Sequence, residues 1–211
     1  VLAYYGGLTW SFAQPELHRP VEVAMRCRSI NSRLLTDKGI RCCISTWTRI
    51  SEADLPPRAK CVSNYHNGRL ASMEAQLNGY DQALLLDHQG KVAEAPGACL
   101  FMVRKGTVVT PPTTSSILES ITRDAVIRLL REELGVTVQE REVDRSELYA
   151  ADEVFFCGTG MEILPVGEIE GHRIGDGQSA GPVTLDAIAW YQNVASGKLP
   201  EFSHWLTEVT A

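Results

Sequence analysis

The sequence predicts an α/β (α+β) fold, and three observations support this prediction. Short strand patterns occur along most of the chain, both before and after helical patterns. One clear amphipathic helix pattern follows a hairpin pattern near the middle of the chain. With 211 residues, 44% hydrophobic and 22% charged, the chain is long enough for one good core or two modest domains.

The first fifth of the chain contains strand patterns separated by an irregular stretch. Residues 1–5 are predicted to form a strand, and residues 6–20, with two glycines and two prolines, an irregular connection between domains. Residues 21–27 alternate as a half-buried strand does, and residues 40–47 form a second, more apolar one. These two strands are either edge or core strands.

Residues 64–94 are predicted to form a helix followed by a hairpin. Leu70, Met73 and Leu77 recur at helical spacing over residues 64–80, and Gly79 suits a left-handed C-terminal cap. Residues 83–87 resemble a buried strand, residues 88–91 a turn, and residues 92–94 a return strand. The hairpin is therefore expected to place Glu94 at a strand end.

Lys60 precedes this helix, and its pairing with Glu94 suggests a cofactor. Pyridoxal phosphate needs a lysine amine for its Schiff base and a carboxylate that keeps its pyridine nitrogen protonated. We expect Lys60 in a largely desolvated site, where its amine deprotonates more readily, and Tyr65 as a hydrogen-bond partner of the ring oxygen. Taken singly, each residue is more often structural, so only the combined spacing favours the cofactor.

The middle of the chain contains a second candidate site. Residues 98–110 are predicted to form a hairpin that turns at 104–106, and Ala125, Ile127, Leu130 and Leu134 mark an amphipathic helix ending before Gly135. This helix is expected to begin near residues 121–122. Its free N–H groups, its dipole and the Thr122 hydroxyl suit a phosphate, although Thr122 alone is more often a helix cap.

The last third of the chain is predicted to contain two more strands, a hairpin and a final helix. Strand patterns occupy residues 137–144 and 153–157, with a helical turn at 146–150 between them. Residues 158–161 form a small-residue loop, whose N–H groups suit a phosphate or a substrate carboxylate unless it is a plain turn. Residues 167–181 are expected to be a hairpin and loop, and residues 182–195 a final helix.

Composition excludes several classes of function. A formal charge of −6 and a pI near 5.4 argue against nucleic-acid binding. No apolar run approaches the roughly 20 residues of a membrane span, and no signal peptide is expected. No metal-binding or hydrolase motif is present. The six cysteines lack disulfide or CxxC spacing, and a reducing, cytoplasmic setting is expected; they are Cys27, Cys42, Cys43, Cys61, Cys99 and Cys157.

Several motifs resemble those of the branched-chain amino acid aminotransferases, which belong to fold type IV of the pyridoxal-phosphate enzymes. The first are K-x-x-x-N-Y, beginning at Lys60, then GYDQALLLD and G-x-V-A-E. The resemblance implies a large domain with a β-barrel-like sheet and surrounding helices. It also implies that Lys60 is the Schiff-base lysine, that Tyr65 contacts the ring oxygen, and that Glu94 contacts the pyridine nitrogen.

Two further motifs extend the resemblance. The stretch PPTTSSILESITRD resembles the family's P-P-x-x-S-S-x-L-x-x-I-T-R-D, which implies phosphate contacts from Ile121 and Thr122 and a ring contact from Leu118. The stretch ADEVFFCGTGMEILPV resembles A-D-E-V-F-x-x-G-T-A-x-E-I-x-P-V. It implies a phosphate contact from Thr159 and, from the backbone of Gly160 and Met161, a contact to the substrate carboxylate.

The resemblance fades before residue 40 and has two departures. Ala98-Cys99 stands where the family usually has Glu-Asn, and Gly160 replaces a commoner alanine. The chain is also expected to begin just after the family's small N-terminal domain, so that residues 1–20 form its end and the connection and residues 21–211 the cofactor-binding large domain.

The resemblance implies transfer of the amino group of branched-chain L-amino acids to 2-oxoglutarate, as in branched-chain amino acid biosynthesis. It also implies at least a homodimer and small amino acid and 2-oxo acid substrates, whereas charge, hydropathy and the missing motifs predict no nucleic-acid, membrane or metal partner. D-amino acid transaminases, (R)-amine transaminases and aminodeoxychorismate lyases share the fold. A non-catalytic large-domain fragment is a further alternative.

Overall fold

The computed structural model describes residues 1–5, 20–26 and 38–208, and the chain divides into two compact units, residues 1–32 and 33–211. In the first unit, β1 (Leu2–Tyr5) pairs antiparallel with β2 (Val21–Ala24). Apart from residue 20, the predicted connection 6–20 lies outside the described residues. Residues 21–24 thus belong with the first unit, whereas the sequence alone suggests a boundary after residue 20. The roles of the two parts stay a prediction.

The second unit is built on one mixed sheet of eight strands, which confirms the predicted α/β class. The strands are β3 (Ile40–Ile44), β4 (Gln82–Leu84), β5 (Cys99–Arg104), β6 (Thr107–Thr110), β7 (Val138–Glu140), β8 (Glu153–Gly158), β9 (Glu162–Ile169) and β10 (His172–Arg173). Their order across the sheet is β4-β3-β9-β8-β5-β6-β7, and β10 pairs with β9. Strand β3 runs parallel to β4 and β9, and β6 runs parallel to β7, whereas the other pairs are antiparallel.

Both faces of the sheet centre are covered, and strand β5 shows why the sequence takes this form. Its residues from Cys99 to Val103 are all buried, and alternate side chains join two different core clusters. Phe101 stacks on Phe155 of β8, with ring centroids 5.1 Å apart. A strand that is buried on both faces is apolar throughout instead of alternating with polar residues.

Helices cover the sheet, close to the predicted positions. A 3-10 turn, Val62–Asn64, leads into α1 (Tyr65–Leu77). Helix α2 (Ile121–Arg128) continues as a π-helical turn, Leu129–Glu133, and ends before Gly135, whose positive φ of 62° suits the glycine. Helix α3 (Arg145–Leu148) is one turn long, α4 (Pro182–Ala195) has the predicted bounds, and a 3-10 turn, Pro200–Trp205, follows.

Helix α1 forms as predicted, but the residues whose spacing indicated the helix do not form its buried face. The side chains that suggested the helix are exposed: Leu70 by 41%, Met73 by 50% and Leu77 by 86%. The buried positions are Gly68, Ala71 and Ala75, on another side of the helix.

The close approach of Pro96 to helix α1 explains which face of the helix is buried. A Cβ atom added at Gly68 would lie 2.9 Å from the carbonyl oxygen of Pro96, so only a residue without a side chain fits there. Ala71 and Ala75 pack with Cys43, Ala83 and Leu85 at the β3–β4 side of the sheet. Small residues therefore face the core, and the larger ones remain outside.

The start of α4 is fixed by a buried carboxylate on strand β8. Glu153 accepts hydrogen bonds from the backbone N–H groups of Val183 (3.1 Å) and Thr184 (2.8 Å) and from the Thr184 hydroxyl (2.7 Å). It thereby pairs N–H groups that a helix start leaves without partners. A Cβ atom at Gly181 would lie 2.2 Å from Cδ of Glu153, so glycine is needed for this approach.

Within the described ranges, no helix combines the length and the apolar character needed to cross a membrane.

Candidate functional site

An open cavity lies among the approach to α1, the end of the 82–94 hairpin, and the ends of β5 and β8. Of the nine predicted site residues, five line it: Lys60, Tyr65, Glu94, Leu118 and Thr159. Residues that lie far apart in the sequence thus meet at one cavity.

The loop that carries Lys60 is fixed by a buried asparagine. The side-chain amide of Asn64 donates to the carbonyl oxygens of Pro56 (2.9 Å) and Ala59 (3.0 Å). This contact gives Asn64 of the K-x-x-x-N-Y motif a structural role. Lys60 itself is exposed, so the expectation of a desolvated lysine is wrong for this structure, because the lysine sits beside exposed Cys61 and Tyr65 where the cavity opens to solvent.

Glu94 lies on the buried side of the cavity, at the end of the predicted hairpin. Leu85 donates its backbone N–H to the Glu94 carbonyl oxygen (3.0 Å), which aligns the return segment with the outgoing strand. One carboxylate oxygen, Oε1, lies 2.7 Å from Nη2 of Arg49, and the other, Oε2, accepts the backbone N–H of Leu118 (3.1 Å). Burial raises the pKa of Glu94, while the Arg49 charge and the Leu118 N–H oppose this rise.

Arg49 is the site residue that sequence reasoning missed. It is buried, donates from Nε to the Ser116 carbonyl oxygen (3.2 Å), and lies 3.5 Å from Oδ1 of Asn67. A buried carboxylate requires a charged or hydrogen-bonded partner, so Glu94 itself signals that a cation lies nearby. The sequence does not indicate which of the arginines fills that position.

The start of α2 lies beside Thr159. Ser120 is the N-cap residue and accepts the Arg123 N–H (3.3 Å), so Thr122 is not the cap. The Thr122 hydroxyl is buried and lies 3.4 Å from the Thr159 hydroxyl. Ile121 is 88% exposed, and neither it nor Thr122 is among the residues that line the cavity. Two hydroxyls and a helix N-terminus therefore lie together, as an anion site requires.

Gly160 and Met161 are not among the residues that line the cavity. Gly160 is exposed, and an added Cβ atom would meet no atom within 4 Å. The Met161 N–H donates to the Gly158 carbonyl oxygen (3.1 Å), and its side chain lines a neighbouring groove. A substrate contact from either backbone N–H stays a prediction.

Two buried thiols complete the inner wall of the cavity. Cys99, one of the residues that depart from the family pattern, has Sγ 4.0 Å from Oε2 of Glu94 and 3.7 Å from the Leu118 carbonyl oxygen. Burial, with the Glu94 charge, raises the pKa of Cys99 to about 12, so the thiol is neutral. Cys157 is fully buried and also lines the cavity, and burial raises the pKa of this thiol too.

Across residues 38–208 and the two shorter described ranges, no group of three or more His, Cys, Asp or Glu side chains is arranged to hold a metal ion.

Comparison with known proteins identifies the family. The model of the class IV amino-transferase family matches residues 6–169, more than three quarters of the chain. The chain belongs to this family. Its relatives include a probable branched-chain-amino-acid aminotransferase of Aquifex aeolicus, 45% identical over 188 residues, which are 89% of this chain and 60% of the relative.

Solved structures of branched-chain aminotransferases share the fold. The PLP-form branched-chain amino acid aminotransferase of Thermobaculum terrenum has a TM-score of 0.84 and 51% identity, with 87% of this chain and 60% of that chain covered. The branched-chain aminotransferase of the archaeon Thermoproteus uzoniensis, solved with norvaline, has a TM-score of 0.78 and 39% identity, with 83% and 58% covered. The chain thus spans about 60% of the length of these relatives.

Proposed function

We propose that this chain binds pyridoxal 5'-phosphate and forms the cofactor-binding large domain of a branched-chain amino acid aminotransferase. The observation that carries the proposal is the cavity that brings Lys60, the Glu94–Arg49 ion pair and Thr159 together, next to the start of α2. A solvent-exposed amine, a buried carboxylate and an anion site are three different requirements. Pyridoxal phosphate, with an aldehyde, a ring nitrogen and a phosphate, matches all three.

The residues around the cavity fit this cofactor. A carboxylate has about four acceptor positions, and the Arg49 and Leu118 groups use two of those on Glu94, so capacity remains for a ring N–H. The thiol of Cys99 is a weak donor and competes little for this capacity.

Each residue then has a definite task. When bound, pyridoxal phosphate acts as an electron sink for the substrate Cα. The Lys60 amine would hold the cofactor covalently and, when free, would carry the proton of the substrate Cα. Glu94 would keep the ring nitrogen protonated through a charge-assisted hydrogen bond, and Tyr65 would be the partner of the ring oxygen.

The start of α2 and the loop after β8 would hold the anionic groups. Thr122, Thr159 and the Ile121 N–H are proposed to bind the phosphate, since helix N-termini favour anions. Leu118 would lie against the ring face. Gly160 and Met161 are proposed to contribute backbone N–H groups to the substrate carboxylate.

The proposed reaction moves the amino group of leucine, isoleucine or valine to 2-oxoglutarate. Its support is the printed function of the relatives, because the chain covers only about 60% of their length. One observation favours a second candidate, a large-domain fragment that binds cofactor without turnover: Lys60 is exposed, whereas catalysis needs water to be excluded.

The lysine assignment is tested by reductive trapping. Protein incubated with pyridoxal phosphate and borohydride should carry a stable adduct on the peptide that contains Lys60, as mapped by mass spectrometry. Lys60→Arg should lose the adduct, and the matched variant Lys105→Arg, on the 104–106 turn, should keep it. An adduct that persists at another lysine in Lys60→Arg contradicts the assignment.

The substrate assignment is tested by single-turnover product analysis on protein whose N-terminus has been verified by intact mass. We expect L-leucine to yield its 2-oxo acid, while D-alanine and (R)-1-phenylethylamine do not react. Reaction of only the latter two would support the D-amino acid or (R)-amine alternative. Reaction of none, with the adduct still formed, would support the non-turnover candidate.

A homodimer and a cytoplasmic location belong to the same proposal. Exposed Leu70, Met73 and Leu77 on α1 give an apolar face of the kind that subunit contacts cover. Light scattering after gel filtration should give at least twice the chain mass, and a monomer would contradict the dimer. The five cysteines in the described part of the chain are free thiols, as a reducing compartment allows.

A further inference from the structure

Cys99 and Cys157 lie directly opposite one another on neighbouring antiparallel strands. Residue pairing between β5 and β8 begins with Cys99 opposite Cys157, and both side chains belong to the same core cluster, so they emerge on the same face of the sheet. Directly opposed residues of antiparallel strands have Cα atoms about 4.5–5.5 Å apart. This range falls within the roughly 4.4–6.8 Å that a disulfide bond spans.

The surroundings of this thiol pair differ from those of an ordinary buried cysteine. Both residues line the cavity, where Cys99 is 2% exposed and Cys157 is fully buried. Burial raises the pKa of both thiols, and the guanidinium of buried Arg123 opposes part of this rise. The Nε atom of Arg123 is buried without a hydrogen-bond partner among the described residues.

We propose that Cys99 and Cys157 form a dithiol site that peroxides entering the cavity convert to an intrachain disulfide. One thiol loses its proton, and its sulfur attacks a peroxide oxygen to give a sulfenic acid and one water. The second sulfur then attacks the first and expels the hydroxyl as a second water. In total, two thiols and one hydrogen peroxide give one disulfide and two waters.

Closure of this bond would change the wall of the cavity. It would tie the start of β5 to the end of β8. The two strands already approach closely there, because a Cβ atom added at Gly158 would lie 3.1 Å from the Gly97 carbonyl oxygen. It would also remove the Cys99 S–H beside Oε2 of Glu94. Oxidation and cofactor binding should therefore affect each other, an extension that rests on the proposed function.

The experiment is peroxide titration followed by alkylation and peptide mapping under non-reducing conditions. We expect a Cys99–Cys157 linked peptide pair, while Cys42, which does not line the cavity, stays reduced and is alkylated after denaturation. Exposed Cys61 reports that the peroxide was active. Cys157→Ser should abolish the link and leave a sulfenic acid at Cys99 that dimedone traps, whereas the matched variant Cys42→Ser should still form the link.

Two results would overturn the dithiol site: links formed only between other cysteines, or free Cys99 and Cys157 thiols after Cys61 is fully oxidised. Prior saturation with pyridoxal phosphate should slow formation of the link at least several-fold. If the link forms equally fast with the cofactor bound, the dithiol site stands and the proposed cofactor position is wrong. If no link forms under either condition, the dithiol site fails and the cofactor position is unaffected.

Discussion

Replacing Arg49 by methionine tests the electrostatics of the site most directly. Arg49 and Glu94 have side chains only 8% and 6% exposed, and their charged atoms are 2.7 Å apart. The variant would leave the Glu94 carboxylate buried with only the Leu118 N–H as partner. Loss of one partner of a buried ion pair costs about 3–5 kcal/mol, so we expect the free energy of unfolding to fall by that amount near neutral pH.

The pH dependence of this loss is the sharper part of the prediction. Burial already raises the pKa of Glu94 above its ordinary value of 4.5, and Arg49 opposes the rise, so the variant should raise it further. A carboxyl whose folded pKa exceeds its unfolded pKa takes up protons on folding, so the free energy of unfolding falls as pH rises between the two values. The loss should thus be small below about pH 4.5 and should grow as pH rises.

The assay is urea denaturation followed by circular dichroism at pH 5 and pH 8. The double variant Arg49→Met with Glu94→Gln should recover most of the loss at pH 8, because no buried charge remains. Arg128→Met is the matched control, since its ion pair with Asp124 is more than half exposed and contributes about 0.5 kcal/mol or less. A loss under about 1 kcal/mol for Arg49→Met, equal at both pH values, would refute the reasoning.

Three further predictions concern stability and can be measured by thermal and urea denaturation. Ser120→Ala should cost about 1 kcal/mol through loss of the α2 cap, and an unchanged midpoint would argue against this cap. Gly160→Ala should be neutral or stabilising by about 0.4–1 kcal/mol. Gly181→Ala should destabilise by about 1–3 kcal/mol, because its Cβ would displace Glu153. Equal effects of the two substitutions would contradict the close packing of Glu153 on Gly181. Glu147→Gln should cost on the order of 2 kcal/mol at pH 7, because its hydrogen bonds to arginine hold the pKa of this carboxyl at about 2. That cost should shrink as pH falls from about 4.5 towards 2, and a cost independent of pH would contradict it.

The elements of the fold were largely predictable because each leaves a local signal. The bounds of α4, the hairpin that turns at Gly106 and the start of α2 near residue 121 all follow from caps, turn residues and periodicity. Lys60 and Glu94, singled out as a lysine before one helix and a carboxylate at a hairpin end, both line the cavity, and their roles toward a cofactor stay a prediction.

The features that were missed depend on distances between elements. Arg49 could not be chosen from the sequence, because the partner of a buried carboxylate is fixed only when the loop before Lys60 folds against the hairpin. The pairing of Cys99 with Cys157 depends on the register of β5 against β8, which two apolar strands buried on both faces do not reveal. The exposure of Lys60 depends on which other segments of the fold pack around it, and residues 59–61 do not indicate those segments.

Helix α1 connects these predictable and unpredictable features. Asn64 at its start holds the loop that carries Lys60, and Gly68 one turn later allows the helix to contact Pro96, two residues beyond Glu94. A larger residue at position 68 would push the helix away from the hairpin and separate the lysine from the carboxylate. The spacing from Lys60 through Asn64 to Gly68 is therefore a packing requirement. Because the side chains that face the hairpin must be small, the larger Leu70, Met73 and Leu77 lie on the exposed face of the helix.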